Sequence, residues 1–314
     1  MKPADALPVR ISCRKCRSKF DAGELEPFSL IACPVCGTTL RIPRRFGRYL
    51  LEKVCGVGGM SKIYRAIDPR LERRVAVKIL TKTGSSPEES ARLFFHEAKL
   101  VADLDHPGIV PIYHSGIEEG SPFLVMRFLS GGDLERLFRA GTLPPARTLL
   151  GYLATIADAL LYMFNEAGLV HHDIKPSNIL LDGEGGAQLG DFDLADVREF
   201  GDLKTPCEEW GSPVYISPER LYSGGEDCRG DIFSLGATIY ELLSGNAPFG
   251  IAGTAQEHHE RRRAMNFAPL AEAAPGVSKE FSELVGGMLA FDPAARPGYP
   301  EILRSLRKEA ERRD

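Results

Sequence analysis

Four stretches of this chain gather side chains able to handle phosphate, a proton or a metal ion. In His171-His172-Asp173-Ile174-Lys175-Pro176-Ser177-Asn178, Asp173 can orient a hydroxyl and accept its proton, and Lys175 can neutralise a transferring phosphoryl group. Asn178, with Asp191 of Gly190-Asp191-Phe192-Asp193, offers hard oxygen ligands suited to Mg²⁺. Upstream, the apolar run Val75-Ala76-Val77 ends on Lys78, whose ammonium can meet nucleotide phosphates. Glu97, 19 residues further on, is a carboxylate able to hold it. The loop Gly56-Val57-Gly58-Gly59-Met60-Ser61-Lys62-Ile63 lets backbone N–H groups approach phosphate oxygens with no side chain between. It is not the dinucleotide fingerprint, because a strand rather than a helix follows it. Each stretch alone has an ordinary reading as a turn, a solvent-reaching lysine or a loop cap. All of them in one order at these spacings is hard to obtain by chance.

The elements that must hold these residues fall into three sections. Residues 1–43 carry paired cysteines. Residues 46–129 look β-rich, with strands at Tyr49–Val54, Lys62–Asp68, Arg74–Leu80 and Phe123–Phe128 and one helix from Pro87 to Leu104, N-capped by Ser86. Residues 130–310 look mainly helical, with apolar residues at three- and four-residue spacing in 147–166, 230–244 and 279–291. Gly183-Glu184-Gly185-Gly186 reads as a hairpin turn between two short strands. No internal repeat is evident. A small β-rich lobe followed by a larger helical lobe predicts a cleft, the usual place for a ligand.

Composition narrows the class. Apolar residues at 43% and charged residues at 26% are ordinary for a globular domain, and a net charge of −4 gives no reason to expect nucleic acid as partner. No run reaches the roughly 18 apolar residues of a membrane helix. The richest stretch, Leu149 to Met163, contains Asp158 and reads as a buried amphipathic helix. There is no signal-peptide core at the start, so the expected location is cytoplasmic.

From about Tyr49 to Leu306 the chain resembles the protein kinase superfamily, and within it the bacterial Ser/Thr kinases of eukaryotic (Hanks) type. The motifs above carry the resemblance. So do His106-Pro107-Gly108-Ile109-Val110 after the first helix, the hinge-like Leu124-Val125-Met126-Arg127-Phe128-Leu129, and Gly211-Ser212-Pro213-Val214-Tyr215-Ile216-Ser217-Pro218-Glu219. Asp231-Ile232-Phe233-Ser234-Leu235-Gly236 matches the start of a core helix, and Arg296 would pair with Glu219. The resemblance implies an α+β, two-lobed kinase fold and an ATP- and Mg²⁺- (or Mn²⁺-) dependent transfer to protein hydroxyls. Asp173 would be the base, Lys78 held by Glu97 would contact the α- and β-phosphates, and Asn178 and Asp191 would hold Mg²⁺. Cys55, Ile63, Ala76, Met126 and Leu180 would sandwich adenine, with backbone groups of Arg127 and Leu129 at its edge and Gly56, Gly58 and Gly59 at the phosphates. Lys175 and Ser212 favour Ser/Thr over Tyr.

Four residues depart from the family pattern. Ser61 replaces the third glycine of the loop, a small change. Arg127 occupies a hinge position that is often acidic, and its side chain should face solvent. His172 replaces an arginine that in the family pairs with a phosphate on the activation loop. A neutral imidazole cannot stand in for a two-pronged cation, so activity should not strictly need loop phosphorylation, and alanine at Thr205, the candidate acceptor, should leave substantial activity. Asp193 replaces the glycine of Asp-Phe-Gly, which restricts the backbone and adds negative charge near the Mg²⁺ ligands. These departures keep a nucleotide-binding pseudokinase, or an adaptor using the fold as scaffold, as alternatives.

Cys13-x₂-Cys16 and Cys33-x₂-Cys36 lie 16 residues apart, a zinc-site spacing. Two knuckles would give four thiolates to a structural Zn²⁺, with iron as the alternative metal. Cys33-Pro34-Val35-Cys36-Gly37 resembles a zinc-ribbon knuckle. Cys55, Cys207 and Cys228 are scattered, so a reducing compartment fits better than a disulfide framework. The ribbon's role is open among a structural cap, protein docking and nucleic-acid contact through Arg10, Arg14, Lys15, Arg17 and Lys19. Arg261-Arg262-Arg263 reads as an exposed face.

Overall fold

The computed structural model describes residues 10–81, 87–192, 195–197, 214–223, 227–250 and 254–313. The chain divides into two compact units. One runs through Ala98 and includes Ile112–Phe128; the other comprises Lys99–Pro111 and the chain from Leu129 onward.

The first unit opens with two hairpins, β1 (Arg10–Ser12) with β2 (Lys19–Asp21) and β3 (Leu30–Ala32) with β4 (Thr39–Arg41). They are copies displaced by 20 residues: Ile11 faces Phe20 as Ile31 faces Leu40, and Cys13 and Cys16 answer to Cys33 and Cys36. This corrects the expectation of no internal repeat. Only Ile11/Ile31 and the two cysteines are identical between the strands and knuckles of the two copies, and the rest of the likeness lives in the backbone. In both, the residue after the second cysteine is left-handed (Arg17, φ 60°; Gly37, φ 70°). Its N–H donates to the first cysteine's carbonyl, at 2.8 Å and 2.9 Å respectively.

A six-stranded antiparallel sheet follows. Its strands are β5 (Arg44–Phe46), β6 (Tyr49–Val57), β7 (Ser61–Asp68), β8 (Arg73–Leu80), β9 (Ile112–Glu118) and β10 (Ser121–Arg127), in spatial order β5-β6-β7-β8-β10-β9. Alternation separates its faces. Leu51, Tyr64, Ala66, Val75, Val77, Ile79, Phe123 and Val125 form one apolar cluster. On the other side, Leu80 and Leu124 pack with Phe94 and Ala98 of helix α1 (Pro87–Val101). The helix stops short of Leu104; Leu104 N–H closes a turn on Val101, and the Asp105-His106-Pro107 stretch that follows disfavours helix. Ser86, the expected cap, lies outside the described residues.

The second unit is helical around one short sheet of β11 (Gly132–Asp133), β13 (Ile179–Leu181) and β14 (Ala187–Leu189). Helix α2 (Leu134–Arg139) is capped by Asp133, and α3 (Ala146–Ala167) ends on left-handed Gly168. Strand β12 (Leu169–Val170) leads into the His171 loop and pairs with β15 (Asp196–Val197). Then come α4 (Pro218–Ser223), α5 (Cys228–Ser244), α6 (Ala255–Arg263), α7 (Leu270–Ala273), α8 (Lys279–Met288) and α9 (Tyr299–Glu311). Helices α5 and α8 approach closely at Gly236, where an added Cβ would stand 2.8 Å from the Met288 Cβ. The β13–β14 turn is the expected one: Asp182 Oδ1 accepts from the N–H groups of Glu184 and Gly186 at 2.7 and 2.9 Å. Among the described residues only α3 is long and apolar enough to cross a membrane by composition, but Leu150, Leu153, Ile156, Ala157 and Leu160 are buried inside the unit, as in a core helix.

Candidate active site and metal centre

In the first unit, the sheet's register puts the expected nucleotide residues on one face. Ile63 faces Lys78 across β7–β8, and Ala76 faces Met126 across β8–β10. This is the face opposite the Tyr64–Val77–Val125 cluster. Lys78 is only 2% exposed, so it is not the solvent-reaching strand end of the bland reading. Glu97 lies on α1 just before Ala98; its side chain is outside the described structure. Arg127 is exposed, as expected of a hinge residue that turns to solvent, while Leu129 is buried.

The glycine loop is the β6–β7 turn, closed by Gly58 N–H donating to Ser61 O at 2.9 Å. Gly56, Gly58 and Gly59 all lack positive φ, and an added Cβ at Gly59 would meet nothing within 4 Å. Neither turn geometry nor crowding therefore requires glycine at 58 and 59. Open space where a side chain would stand is what a phosphate cradle needs. Ser61 is buried and completes the turn. Cys55 falls at a register shift in β6 and is exposed.

In the second unit, the loop after β12 draws its polar groups onto Asp173. Lys175 Nζ donates to both carboxylate oxygens, at 3.0 and 2.7 Å. Asn178 Nδ2 donates to Asp173 O at 2.8 Å and to Asp173 Oδ2 at 2.9 Å. With its amide nitrogen so engaged, Asn178 turns Oδ1 away from Asp173, where it accepts from Ser177 Oγ at 3.5 Å and is the kind of oxygen a hard cation takes. Gly190 N–H donates to Asn178 O at 3.0 Å, which ties the Asp191 segment to this loop. Asp191 itself is left-handed (φ 64°). Two hard oxygens on neighbouring backbone suit Mg²⁺. Asp193, Thr205 and Ser212 lie outside the described residues.

The sequence reading named Asp231 and His171 only as motif positions and missed that they hold this loop. Asp231, buried in the first turn of α5, accepts from the N–H groups of His171 and His172 at 2.7 and 2.8 Å. A carboxylate among apolar helix residues was the available signal. His171 is fully buried against Phe192, and burial pushes its pKa down to about 4. The arginine run is an exposed face at Arg261 and Arg263, but Arg262 departs from that reading: it is fully buried, stacks on Phe233 and Phe249, and donates to Val214 O at 3.0 Å. A guanidinium between two rings can be buried because its charge meets ring faces and a carbonyl. The Arg296–Glu219 pair forms as expected, two-pronged at 2.6 and 2.7 Å.

A protein kinase domain model matches residues 49–306, most of the chain. This chain belongs to the protein kinase family. The kinase is 36% identical over 257 residues to the serine/threonine-protein kinase PknL of Mycobacterium tuberculosis, covering 79% of this chain and 62% of PknL. It is 34% identical over 258 residues to PknJ of the same organism, covering 80% of this chain and 43% of PknJ. Against the serine/threonine-protein kinase PrkC of Bacillus subtilis the figures are 37% over 204 residues, 65% of this chain and 31% of PrkC. The kinase thus spans less than two thirds of the length of each of these relatives.

The four ribbon thiols pass a separate test. All four Sγ atoms lie within 4.8 Å of one another, with Cys13–Cys36 at 3.6 Å and Cys16–Cys33 at 3.7 Å, and none is in a disulfide. A tetrahedron with Zn–S bonds of about 2.3 Å has edges of about 3.8 Å, so the cluster fits that ion. Ser18 Oγ lies 3.5 Å from Cys33 Sγ; its hydrogen bond, with the Val35 and Cys36 N–H groups, holds the Cys33 thiol down at about 6 against the effect of burial. Thr38, the counterpart of Ser18 in the second hairpin, lowers Cys36 in the same way.

Proposed function

We propose that this kinase transfers the γ-phosphoryl group of ATP to serine or threonine hydroxyls of protein substrates. The observation that carries the reading is the Asp173 carboxylate, oriented by Lys175 and Asn178 at 2.7–3.0 Å. A base must be within reach of the hydroxyl and held in one direction, and these contacts supply the second condition. Lys175 stays on Asp173 until substrate arrives and then neutralises charge on the transferring group. Gly56, Gly58, Gly59 and Lys78 take the phosphates, and the family resemblance assigns Glu97 to partner Lys78. Ile63, Ala76 and Met126, which share one face of the sheet, offer the apolar surface for adenine. Mg²⁺ would be held by Asn178 Oδ1 and the Asp191 carboxylate, and would neutralise phosphate oxygens. Zn²⁺, held by Cys13, Cys16, Cys33 and Cys36, would fix the paired hairpins. ATP and reduced thiols together support a cytoplasmic setting. His172 in place of arginine supports activity that does not strictly need phosphate on the activation loop.

Radiolabelled ATP with Mg²⁺ or Mn²⁺ and a generic protein substrate tests the assignment. Transfer should fall by at least about a thousandfold in Asp173→Asn while nucleotide binding persists. Tight ATP binding by the wild type without any transfer would make the chain a pseudokinase instead.

A further inference from the structure

His172 is the unusual residue of the catalytic loop twice over: it replaces a permanent cation, and its backbone is left-handed (φ 66°). A non-glycine residue in that conformation is strained and persists only where its surroundings over-determine it. Asp231 holds the loop from one side through the N–H groups of His171 and His172. From the other side, Arg220 Nη1 donates to the His172 carbonyl. That carbonyl belongs to the peptide unit that carries the N–H of Asp173, and the same N–H donates to His171 Nδ1 at 3.2 Å. The peptide plane that aims the base is thereby fixed at both its polar atoms.

Arg220 is itself anchored. It follows Glu219 on α4, and Glu219 is gripped two-pronged by Arg296, whose side chain is buried. Arg220 N–H donates to Ser217 Oγ at 3.3 Å, and Ser217 is buried. Arg296 Nη1 also donates to Arg229 O at 2.7 Å, at the start of α5. The helix bearing Arg220 is therefore tied to the floor of the unit, and Arg220 reaches from it to the residue just before Asp173.

We propose that Arg220 is a positioning residue: by holding the His172 carbonyl it supplies, from α4, the guanidinium that the catalytic loop lacks, and so sets the direction of Asp173 without a phosphorylated loop. This rests on the kinase reading above. The charge is permanent, so the tie does not depend on a modification.

The test uses the full chain with Arg220→Met, which keeps the stem and removes the donors, and Arg220→Lys, which keeps one cationic donor. Steady-state transfer at saturating Mg²⁺-ATP is measured alongside amide hydrogen exchange of residues 171–178 without nucleotide, and thermal unfolding. In Arg220→Met, kcat should fall at least about tenfold, as misdirection of a catalytic group does. The KM for ATP should stay within about twofold, loop exchange should quicken, and Tm should hold within a few degrees. Arg220→Lys should recover most of kcat and of the protection. Loop exchange in Arg220→Met equal to wild type overturns the proposal whatever the activity does. So does an equal loss in both variants accompanied by a fall in Tm, which marks general damage. A wild type that protects the loop through Arg220 but transfers no phosphoryl group would instead overturn the kinase reading and leave the tie standing.

Discussion

His171 sits fully buried beside Phe192, with its Nδ1 accepting from Asp173 N–H, so the folded chain keeps it neutral. Burial sets its pKa at about 4, against 6.5 for the free side chain. The sign follows from which state binds the proton. Above pH 6.5 the imidazole is neutral in both states and contributes nothing. As pH falls from 6.5 towards 4 the unfolded chain takes up a proton that the folded chain refuses, and stability drops by up to about 3 kcal/mol. Asn at this position can offer an acceptor to Asp173 without titrating. His171→Asn should therefore lose less Tm than wild type between pH 7 and pH 5; parallel curves would show that His171 is not the group responsible. This residue illustrates what sequence could and could not supply. Asp173, Lys175 and Asn178 were legible because their spacing is itself chemical. His171 and Asp231 were not, because their work is done through burial and through backbone N–H groups 59 and 60 residues away in sequence from the carboxylate.

At the scale of elements, the strands that bear the nucleotide residues were legible from alternation, as were the long helices from their three- and four-residue spacing. The two cysteine hairpins were legible as a metal site but not as a repeat, and not as part of the sheet they meet. Phe28, left-handed at φ 66°, stacks on Tyr64 of β7 with ring centres 6.0 Å apart. Its N–H donates to Ile42 O at 2.7 Å, and Ile42 is buried at the start of the run into β5. Arg14 of the first knuckle reaches Glu52 of β6 at 2.9 Å, and Glu52 also holds Arg65 of β7 at 2.7 Å. These contacts join residues distant in sequence, and no local period encodes them. They predict that metal loss is felt beyond the knuckles. Hairpins this short have too little core to persist without the ion. Chelation under reducing conditions should lower Tm of the full chain and expose Phe28 and Tyr64 to solvent. A chelated protein that contains less than half an equivalent of zinc and melts where the holo-protein does would refute this.

For the molecule as a whole, the question is whether residues 10–41 form a tethered module or an integral part of the kinase. Composition alone suggested a separate section ending near residue 43. The contacts instead group these residues with the six-stranded sheet in one compact unit. Three kinds of force cross that boundary: the Phe28–Tyr64 stack, the Arg14–Glu52 pair, and burial of Ile42 and Phe46. The exposed ion pair contributes little. The aromatic stack and the apolar cover contribute most, together roughly 2 kcal/mol. In a domain of this size that is worth about 4–8 °C in Tm. A chain beginning at Ile42 should therefore melt about that much lower than the full chain. Because both operations remove the same contacts, chelator should shift the full chain but leave the truncated one unmoved. A tethered module predicts the opposite pattern, with equal Tm for the two chains. The same β6–β7 hairpin that receives the Phe28 stack ends in the glycine loop, which Ser61 closes three residues before Tyr64, about 10 Å along the strand at about 3.3 Å per residue. Truncation should accordingly raise the KM for ATP more than it lowers kcat, since the chemistry on Asp173 belongs to the other unit. Unchanged ATP affinity with a lower Tm would confine the ribbon to a purely stabilising part.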